Sequence, residues 1–258
     1  MAGYEKDVLV ETDWVEQHLD DDAIRIVEVD ENPALYQEAH IPGAIGFDWK
    51  QDLQDQVKRD FLGPKEFGEL IGARGISNDH TIVLYGDRNN WFAAYTYWYF
   101  QYYGHDKVKL MNGPREKWIS EGRPTTADVP QYQATTFDTG SPDDAIRAMR
   151  DEVTQALDSD TRLVDVRSPA EYSGELIAMA GYEQEGAQRG GHIPGAASVP
   201  WAQAVQERTE MAEPGQDPPA ANARRTALGP RALLDRHANH VAPLGPRAVV
   251  VADVLVAE

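Results

Sequence analysis

Cysteine is absent from the 258 residues of this chain. Its absence excludes disulfide bonds, thiolate metal sites and catalysis by a thiol nucleophile. Long apolar runs are also absent, since none approaches the ~18–20 residues that are needed to cross a bilayer. The first residues, Met1 to Asp7, lack the basic start and the apolar stretch of a signal peptide. We therefore expect a soluble cytoplasmic protein.

Positive charge is scarce in this sequence. The chain has 24 Lys and Arg against 43 Asp and Glu, which gives a formal net charge of −19. Nucleic acids and acidic membrane surfaces attract basic patches, so we expect neither as a partner. Only seven of the basic residues are lysine. Dense carboxylates with little lysine are typical of a high-salt cytoplasm, and an acidic protein from an ordinary cytoplasm is the alternative.

The five residues His-Ile-Pro-Gly-Ala occur twice, at His40–Ala44 and at His192–Ala196, which are 192 − 40 = 152 residues apart. This separation is about the length of one domain. The residues before the two copies also match: Arg25–Asp30 with Arg162–Arg167, and Pro33–Tyr36 with Pro169–Tyr172. The chain is therefore predicted to contain a duplicated module.

Short apolar segments that are typical of strands alternate with segments of helical periodicity. The predicted strands are Ile24–Val29, Ala44–Phe47, Thr81–Tyr85, Val108–Met111 and Arg162–Val166. The predicted helices are Pro64–Ala73, Trp91–Tyr103, Pro114–Ser120 and Asp143–Leu157. Aromatic residues at 91, 95, 98 and 102 share one helical face, which we expect in the core, and Gly104 has the place of a C′ residue. This alternation favours parallel sheets that are covered by helices.

Composition sets the domain boundaries that we expect. Residues 8–124 form the first domain. Residues 125–142 form a linker, because the stretch 122–142 is rich in Gly, Pro, Thr and other polar residues. Residues 143–207 begin the second domain. Residues 208–258 are a tail of different composition, with eleven Ala, six of the 16 Pro, and six Arg balanced by six Asp and Glu. This tail has no Lys, Ile, Ser, Phe, Tyr or Trp.

The segments Asp165–Tyr172 and Gly191–Ala196 resemble a rhodanese domain, and two such domains in tandem resemble thiosulfate and 3-mercaptopyruvate sulfurtransferases. The first copy adds to this resemblance through His40–Ala44, Leu84–Asp87 and Leu110–Pro114. The resemblance implies an α/β fold of two tandem rhodanese-like domains, each a parallel sheet flanked by helices. The second domain is expected to be incomplete, because the resemblance ends near residue 207. It implies no cofactor.

The resemblance also implies an activity. A sulfurtransferase of this family moves sulfane sulfur from thiosulfate to a thiophile such as cyanide. A cysteine of the second domain takes the sulfur as a persulfide and then releases it, which is nucleophilic catalysis in two steps. The expected partners are thus a small sulfur-donor anion and a thiophile acceptor. A 3-mercaptopyruvate sulfurtransferase is the alternative enzyme, and a non-catalytic rhodanese-like binding module is the alternative of another class.

The repeat gives an expected position for that cysteine. By resemblance Asp87 stands at the cysteine slot of the first copy, 87 − 40 = 47 residues after His40. The same distance from His192 leads to Asn239, and the chain has no cysteine there or elsewhere. We therefore expect no catalytic nucleophile and no persulfide chemistry. Either the tail has diverged, or a frame shift after about Glu207 replaced it, which fits its Arg-, Ala- and Pro-rich composition.

The resemblance implies that Arg167 and Arg189 bind the donor anion, because a guanidinium matches the shape of a sulfonate or carboxylate. The alternatives are a salt bridge of Arg167 with Asp165 or Glu171, and a solvated position for Arg189. Asp165 and Glu171 are predicted to hold Arg167 and the loop in place. His192 is predicted to make a structural hydrogen bond, because both copies of the repeat contain this histidine.

Four remaining residues bear on other hypotheses. Asp30 occupies in the first copy the place of the second copy's arginine, so its charge disfavours an anion there. His237 and His240 have an i, i+3 spacing that could suit a metal, but no third ligand is evident and no metal site is predicted. An oxygen nucleophile at Asp87, in the loop Asp87–Asn90, would define a phosphatase-like enzyme instead.

Overall fold

The computed structural model describes residues 8–58, 60–178, 189–204 and 248–251. The chain divides into two compact units, unit 1 from Met1 to Arg147 and unit 2 from Ala148 to Glu258. Each unit contains one parallel β-sheet, as the alternation of strands and helices predicted. The domain boundaries and the linker expected from composition stay predictions. In the part of the chain that the structure describes, no helix has the length and apolar character to span a membrane.

Unit 1 is built on a five-stranded sheet in the order β1-β5-β4-β2-β3, with every neighbouring pair parallel. The strands are β1 (Leu9–Val10), β2 (Ile24–Asp30), β3 (Ile45–Asp48), β4 (Thr81–Tyr85) and β5 (Val108–Met111). The last four agree with the predicted strands to within one residue. Strands β2 and β4 are rich in Ile, Val and Leu because helices cover both faces of a parallel sheet. Their carboxyl ends lie side by side, with Glu28 opposite Tyr85.

The helices of unit 1 are α1 (Thr12–Gln17), α2 (Ala34–Glu38), α3 (Pro64–Ala73), α4 (Trp91–Tyr102) and α5 (Arg115–Ser120). The bounds of α3 were predicted correctly. Proline fits its first turn because the ring fixes φ and the missing N–H would have no partner there. Helix α4 ends where Gly104 adopts a left-handed φ of 78°, which confirms its prediction as a C′ residue.

The buried face of α4 differs from the aromatic stripe that spacing predicted. Three aromatic residues of the stripe are only half-buried: Trp91, Tyr95 and Trp98. The fully buried side chains of the helix are Phe92, Ala93, Thr96, Tyr99, Phe100 and Tyr102. Because α4 is apolar almost all round, the spacing of its aromatic residues does not distinguish the inner side from the outer side.

A segment without helix or strand follows α5 and packs along unit 1. Thr126 forms an isolated antiparallel bridge with His40. The N–H of Thr135 donates to the Gly72 carbonyl oxygen at 2.8 Å, and Phe137 is buried. Glycine is required for this approach, because a Cβ at position 72 would lie 2.6 Å from the carbonyl oxygen of Thr135. This segment is therefore part of the core packing of unit 1.

The predicted helix Asp143–Leu157 is wrong in its first half. Residues Asp144–Ile146 form a 3-10 turn, and the carboxylate of Asp143 accepts the N–H of Ala145 at 3.1 Å. An aspartate that bonds to the nearby backbone in this way competes with helix formation. Arg147 is then extended, with φ of −132°. The α-helix begins only at Arg150.

Unit 2 has a three-stranded parallel sheet in the order β7-β6-β8. Its strands are β6 (Arg162–Asp165), β7 (Ala197–Ser198) and β8 (Ala248–Val251), and its helices are α6 (Arg150–Ala156) and α7 (Pro169–Ser173). Val164, Val166 and Val199 form a buried apolar cluster in its described part, with Trp201 packed against them. This core is small beside that of unit 1.

Strand β8 has in unit 2 the sheet position that β4 has in unit 1. Each lies beside the strand that precedes the repeated turn, β2 or β6, on the side opposite to β3 or β7. The register is also the same, since Asp165 is opposite Val251 where unit 1 has Glu28 opposite Tyr85. The apolar run from Val249 belongs to this strand and pairs with β6. The structure adds that the strand takes the place of β4.

Candidate functional site

The first repeated turn is held by a tyrosine and a histidine. The Tyr36 hydroxyl donates to the Ala44 carbonyl oxygen at 2.8 Å. The His40 imidazole stacks on the Tyr36 ring at 4.0 Å, and its Nδ1 lies 2.7 Å from the Tyr36 carbonyl oxygen. Its Nε2 lies 3.1 Å from the Asp128 carbonyl oxygen. Gly43 takes a left-handed φ of 79°, which permits the reversal of the chain.

The second repeated turn has the same internal contacts. The Tyr172 hydroxyl donates to the Ala196 carbonyl oxygen at 2.7 Å. His192 stacks on the Tyr172 ring at 3.7 Å, and its Nδ1 lies 2.9 Å from the Tyr172 carbonyl oxygen. Gly195 has a φ of 81°. The two turns differ in exposure, because His192 is exposed whereas its counterpart His40 is buried.

A buried carboxylate stands near the end of β2 in unit 1. Glu28 is 1% exposed and accepts hydrogen bonds from the Tyr85 hydroxyl and from Nε of Arg115, the latter at 3.1 Å. Arg115 begins α5, and its Nη2 also donates to the carbonyl oxygens of Leu35 (3.1 Å) and Ala39. This arginine therefore connects the buried carboxylate with the residue that precedes His40.

In unit 2 the corresponding carboxylate is Asp165, also 1% exposed. Arg167 donates to it from Nε at 3.0 Å and from Nη2 at 2.8 Å. The same Nη2 donates to the Gly191 carbonyl oxygen at 2.7 Å. Of the predicted site residues, the structure thus brings Asp165 and Arg167 together and connects them to the residue that precedes His192. The salt bridge is the alternative that the sequence left open for Arg167.

Glu171 and Arg189 lie in other environments. The Glu171 carboxylate accepts the Ser168 N–H at 3.1 Å and the Ser168 hydroxyl at 2.5 Å, while the Ser168 Oγ accepts the Glu171 N–H at 3.3 Å. This reciprocal pair is a capping box that begins α7. Arg189 is exposed, three residues before His192. The functional roles of both stay predictions.

The loop after β4 has an uncommon backbone. Arg88, Asn89 and Asn90 all have positive φ, at 47°, 57° and 63°, immediately before α4. Non-glycine residues seldom adopt this conformation, and three in succession is a strong sign of a specialised loop. Asp87 opens it, is 3% exposed, and accepts the backbone N–H groups of Glu31 (2.6 Å) and Asn32 (3.2 Å). A carboxylate held in this way is poorly placed to attack a phosphate ester.

This loop borders a cavity of about 530 Å³. The cavity is lined by Glu31, Asn32, Leu35, Asp87, Arg88 and Glu116. Three of these six side chains are carboxylic acids and one is basic, so the lining is acidic overall. Burial raises the pKa of Asp87, and the N–H groups of Glu31 and Asn32 oppose the rise. Burial also raises the pKa of Glu116.

Asp30 lies beneath this loop at the position that Arg167 occupies in unit 2. Its Oδ1 accepts the N–H of Asp87 at 2.8 Å, while its buried Oδ2 accepts no hydrogen bond. Burial raises the pKa of Asp30 to about 9, and the hydrogen bond and the charge of Glu28 add to the rise. Asp30 is therefore protonated at neutral pH, as a hydrogen bond between two carboxyl groups requires.

Sequence reasoning overlooked the buried charges of unit 1. Glu28 lies inside the apolar strand Ile24–Asp30, and a charged residue in such a strand is almost never fully buried without a partner. That rule predicts a partner but does not name Arg115, which lies 87 residues later. The residues Asn239, His237 and His240 lie outside the described part of the chain. Within the described part, no group of three or more His, Cys, Asp or Glu is arranged for a metal ion.

Comparison with known proteins defines the family. The sequence profile of the Rhodanese-like domain family matches residues 11–121 and 149–237. The chain therefore belongs to the rhodanese family, and it has the α/β rhodanese fold. The second matched segment ends 237 − 207 = 30 residues beyond the end of the motif resemblance. The family match thus enters the tail of altered composition.

Two similar proteins have names that refer to sulfur transfer or to a sulfur carrier. A Haloferax volcanii protein named "Putative thiosulfate sulfurtransferase" is 54% identical over 211 residues, which is 80% of this chain and 73% of that protein. The sulfur carrier protein TtuD of Thermus thermophilus is 53% identical over 203 residues, or 77% and 71% of the two chains. A crystal structure of the 3-mercaptopyruvate sulfurtransferase SseA of Escherichia coli matches with a TM-score of 0.72 at 21% identity. That match covers 96% of this chain and 89% of SseA.

Proposed function

We propose that this chain is a thiosulfate sulfurtransferase by family that binds the donor anion but does not transfer its sulfur. The observation that carries the proposal is the absence of cysteine from all 258 residues. Family chemistry needs a thiolate, which attacks the sulfane sulfur while the S–S bond of thiosulfate breaks and sulfite leaves. Cyanide then attacks the persulfide, thiocyanate leaves, and the thiolate is regenerated. Carboxylate, hydroxyl and imidazole groups cannot form a persulfide, because they contain no sulfur. The transfer of sulfane sulfur from thiosulfate to the protein therefore has no acceptor group in this chain.

Donor binding is proposed at unit 2. Arg167 and Arg189 carry the positive charge that a sulfonate requires, and Asp165, Glu171 and His192 hold the surrounding chain. Thiosulfate is preferred over 3-mercaptopyruvate because a relative that is 54% identical bears the name "Putative thiosulfate sulfurtransferase". The net charge of −19 argues against nucleic acid as a partner.

The test is a sulfur-transfer assay on the full chain. Purified protein is incubated with thiosulfate and cyanide, and thiocyanate is measured against buffer alone. Intact-mass spectrometry after thiosulfate treatment searches for the gain of one sulfur atom. Ser120→Cys, which places a thiol on an exposed helix position, is treated with polysulfide as the positive control for persulfide detection. We expect no thiocyanate and no added sulfur on the unaltered chain, and thiocyanate above buffer would overturn the proposal.

Donor preference is tested by binding. Isothermal titration with thiosulfate, 3-mercaptopyruvate and sulfate separates the two donors from a plain oxyanion. The proposal expects thiosulfate to bind most tightly. Tighter binding of 3-mercaptopyruvate would instead favour the alternative enzyme type, and equal binding of all three would favour a non-specific anion site.

A further inference from the structure

In both units an arginine joins a buried strand carboxylate to the residue that precedes the repeated turn. In unit 1 an arginine joins Glu28 to the carbonyl oxygen of Ala39, the residue before His40. In unit 2 an arginine joins Asp165 to the carbonyl oxygen of Gly191, the residue before His192. The two carboxylates occupy matching strand positions, and the two carbonyl groups occupy matching turn positions. We call this carboxylate–arginine–carbonyl bridge the turn clamp.

The arginine of the turn clamp comes from different parts of the two units. In unit 1 it is Arg115, the first residue of α5, which is 87 residues from Glu28. In unit 2 it is Arg167, which is two residues from Asp165. In unit 1 the position that matches Arg167 is occupied by Asp30. Asp30 has no guanidinium and cannot bridge Glu28 to the carbonyl group before His40. The same two acceptors are therefore reached by arginines of different origin.

We infer that Arg167 is a positioning residue that performs in unit 2 the role of Arg115. We further infer that Asp165 competes with a donor anion for Nε and Nη2 of this guanidinium. The second statement rests on the proposed donor-binding function, and the first does not. Because Arg167 also holds the Gly191 carbonyl oxygen, binding of an anion to Arg167 would change how firmly the second repeated turn is held.

The geometry makes this displacement costly. Asp165 is 1% exposed, and it accepts both Nε and Nη2 of Arg167 in a two-pronged pairing. Such pairing is among the stronger hydrogen-bonded ion pairs in proteins. When the guanidinium turns to an anion, Asp165 keeps the hydrogen bond from the Arg167 backbone N–H at 3.0 Å but loses the opposite charge beside it, which is unfavourable for a buried carboxylate. Asp165 therefore sets the affinity for the donor as much as Arg167 does.

The clamp itself is tested by amide hydrogen exchange on the full chain. The reporter is the Ala196 N–H, which donates to the Ile193 carbonyl oxygen at 3.0 Å within the turn. Arg167→Met is expected to accelerate its exchange about 10- to 100-fold, the size of a lost hydrogen bond to a charged group. Arg167→Lys keeps the charge but cannot span both acceptors, so it is expected to accelerate exchange as well. Unchanged exchange in both variants would overturn the clamp.

Two controls make this result specific. Arg150→Met removes an exposed arginine of α6 that pairs with Asp151 and is expected to leave the Ala196 exchange rate unchanged. The Ala44 N–H, which donates to Ile41 at 2.9 Å in unit 1, is expected to keep its rate in every unit 2 variant. An equal acceleration at Ala44 would show general destabilisation and would contradict a local clamp.

The competition with the donor is tested by titration with thiosulfate. Asp165→Asn removes the competing charge. It is expected to lower the thiosulfate dissociation constant about tenfold, which is the factor that corresponds to a shift of about one pKa unit. The double variant with Arg167→Met is expected to lose that gain. Equal affinity of the unaltered chain and Asp165→Asn would overturn the competition. If neither binds thiosulfate, the donor-binding function fails as well, whereas the exchange measurement decides the clamp without any ligand.

Discussion

Asp30 gives the sharpest prediction about unit 1, because it is a buried acid between two other carboxylates. Burial raises its pKa to about 9, from an ordinary value of about 3.9 in an unfolded chain. Between these two values the folded protein holds a proton that the unfolded chain releases. Its contribution to stability is therefore complete below about pH 4 and is lost as the pH rises through about 9.

The magnitude follows from proton linkage. One proton held only by the folded state gives a slope of at most about −1.4 kcal/mol of unfolding free energy per pH unit. Asp30→Asn keeps the shape and stays neutral at every pH. Its Oδ1 can accept the Asp87 N–H, and its Nδ2 can donate to Glu28 as the protonated acid does. The substitution is expected to remove this slope and to stabilise the protein above pH 7.

Urea unfolding at intervals from pH 5 to 8.5, followed by tryptophan fluorescence, measures this effect. Five of the six tryptophans lie in unit 1, so the signal reports mainly on that unit. Asp20→Asn, an exposed position in the same unit, is the matched control and is expected to leave the slope unchanged. A slope in Asp30→Asn equal to that of the unaltered chain would refute the assignment of the proton to Asp30.

Three further predictions concern packing and buried contacts, and urea unfolding measures each. Arg115→Met leaves the buried Glu28 carboxylate without its positively charged partner and is expected to cost about 3–5 kcal/mol; a cost below about 1 kcal/mol would contradict the clamp in unit 1. His40→Ala is expected to destabilise its unit by about 1–3 kcal/mol, because His40 is buried. His192→Ala is expected to cost about 1 kcal/mol or less, because His192 is exposed, and equal effects of the two substitutions would count against this reasoning. Gly72→Ala places a Cβ 2.6 Å from the Thr135 carbonyl oxygen and is expected to cost about 1–3 kcal/mol, so a neutral result would show that the segment moves aside freely.

Local sequence signals predicted most of unit 1. Strands β4 and β5 and helix α3 have the predicted bounds, because each is a regular apolar segment closed by a turn signal. The end of α4 was predicted from Gly104, since a left-handed C′ residue favours glycine. The inner face of α4 was not, because an almost wholly apolar helix carries no amphipathic signal.

The parts of the site that depend on contacts between residues far apart in the sequence were not predicted. The repeated histidines were recognised at once, and their shared geometry follows from the repeat. The partner of Glu28 comes from a helix that starts 87 residues later, and no local pattern links the two. The sequence offered both a salt bridge and an anion site for Arg167, and composition could not choose between them. The position of β8 was also hidden, because the segment before it lacks the motifs of unit 1.

The absence of a thiol is the centre of the proposed function, and the thiosulfate–cyanide assay tests it most directly. The full chain is assayed for thiocyanate at high protein concentration, beside buffer alone. We expect production of thiocyanate to equal that of buffer, with no sulfur added to the intact mass. Turnover above buffer that grows in proportion to protein concentration would contradict the account, because this chain has no cysteine to carry the sulfur.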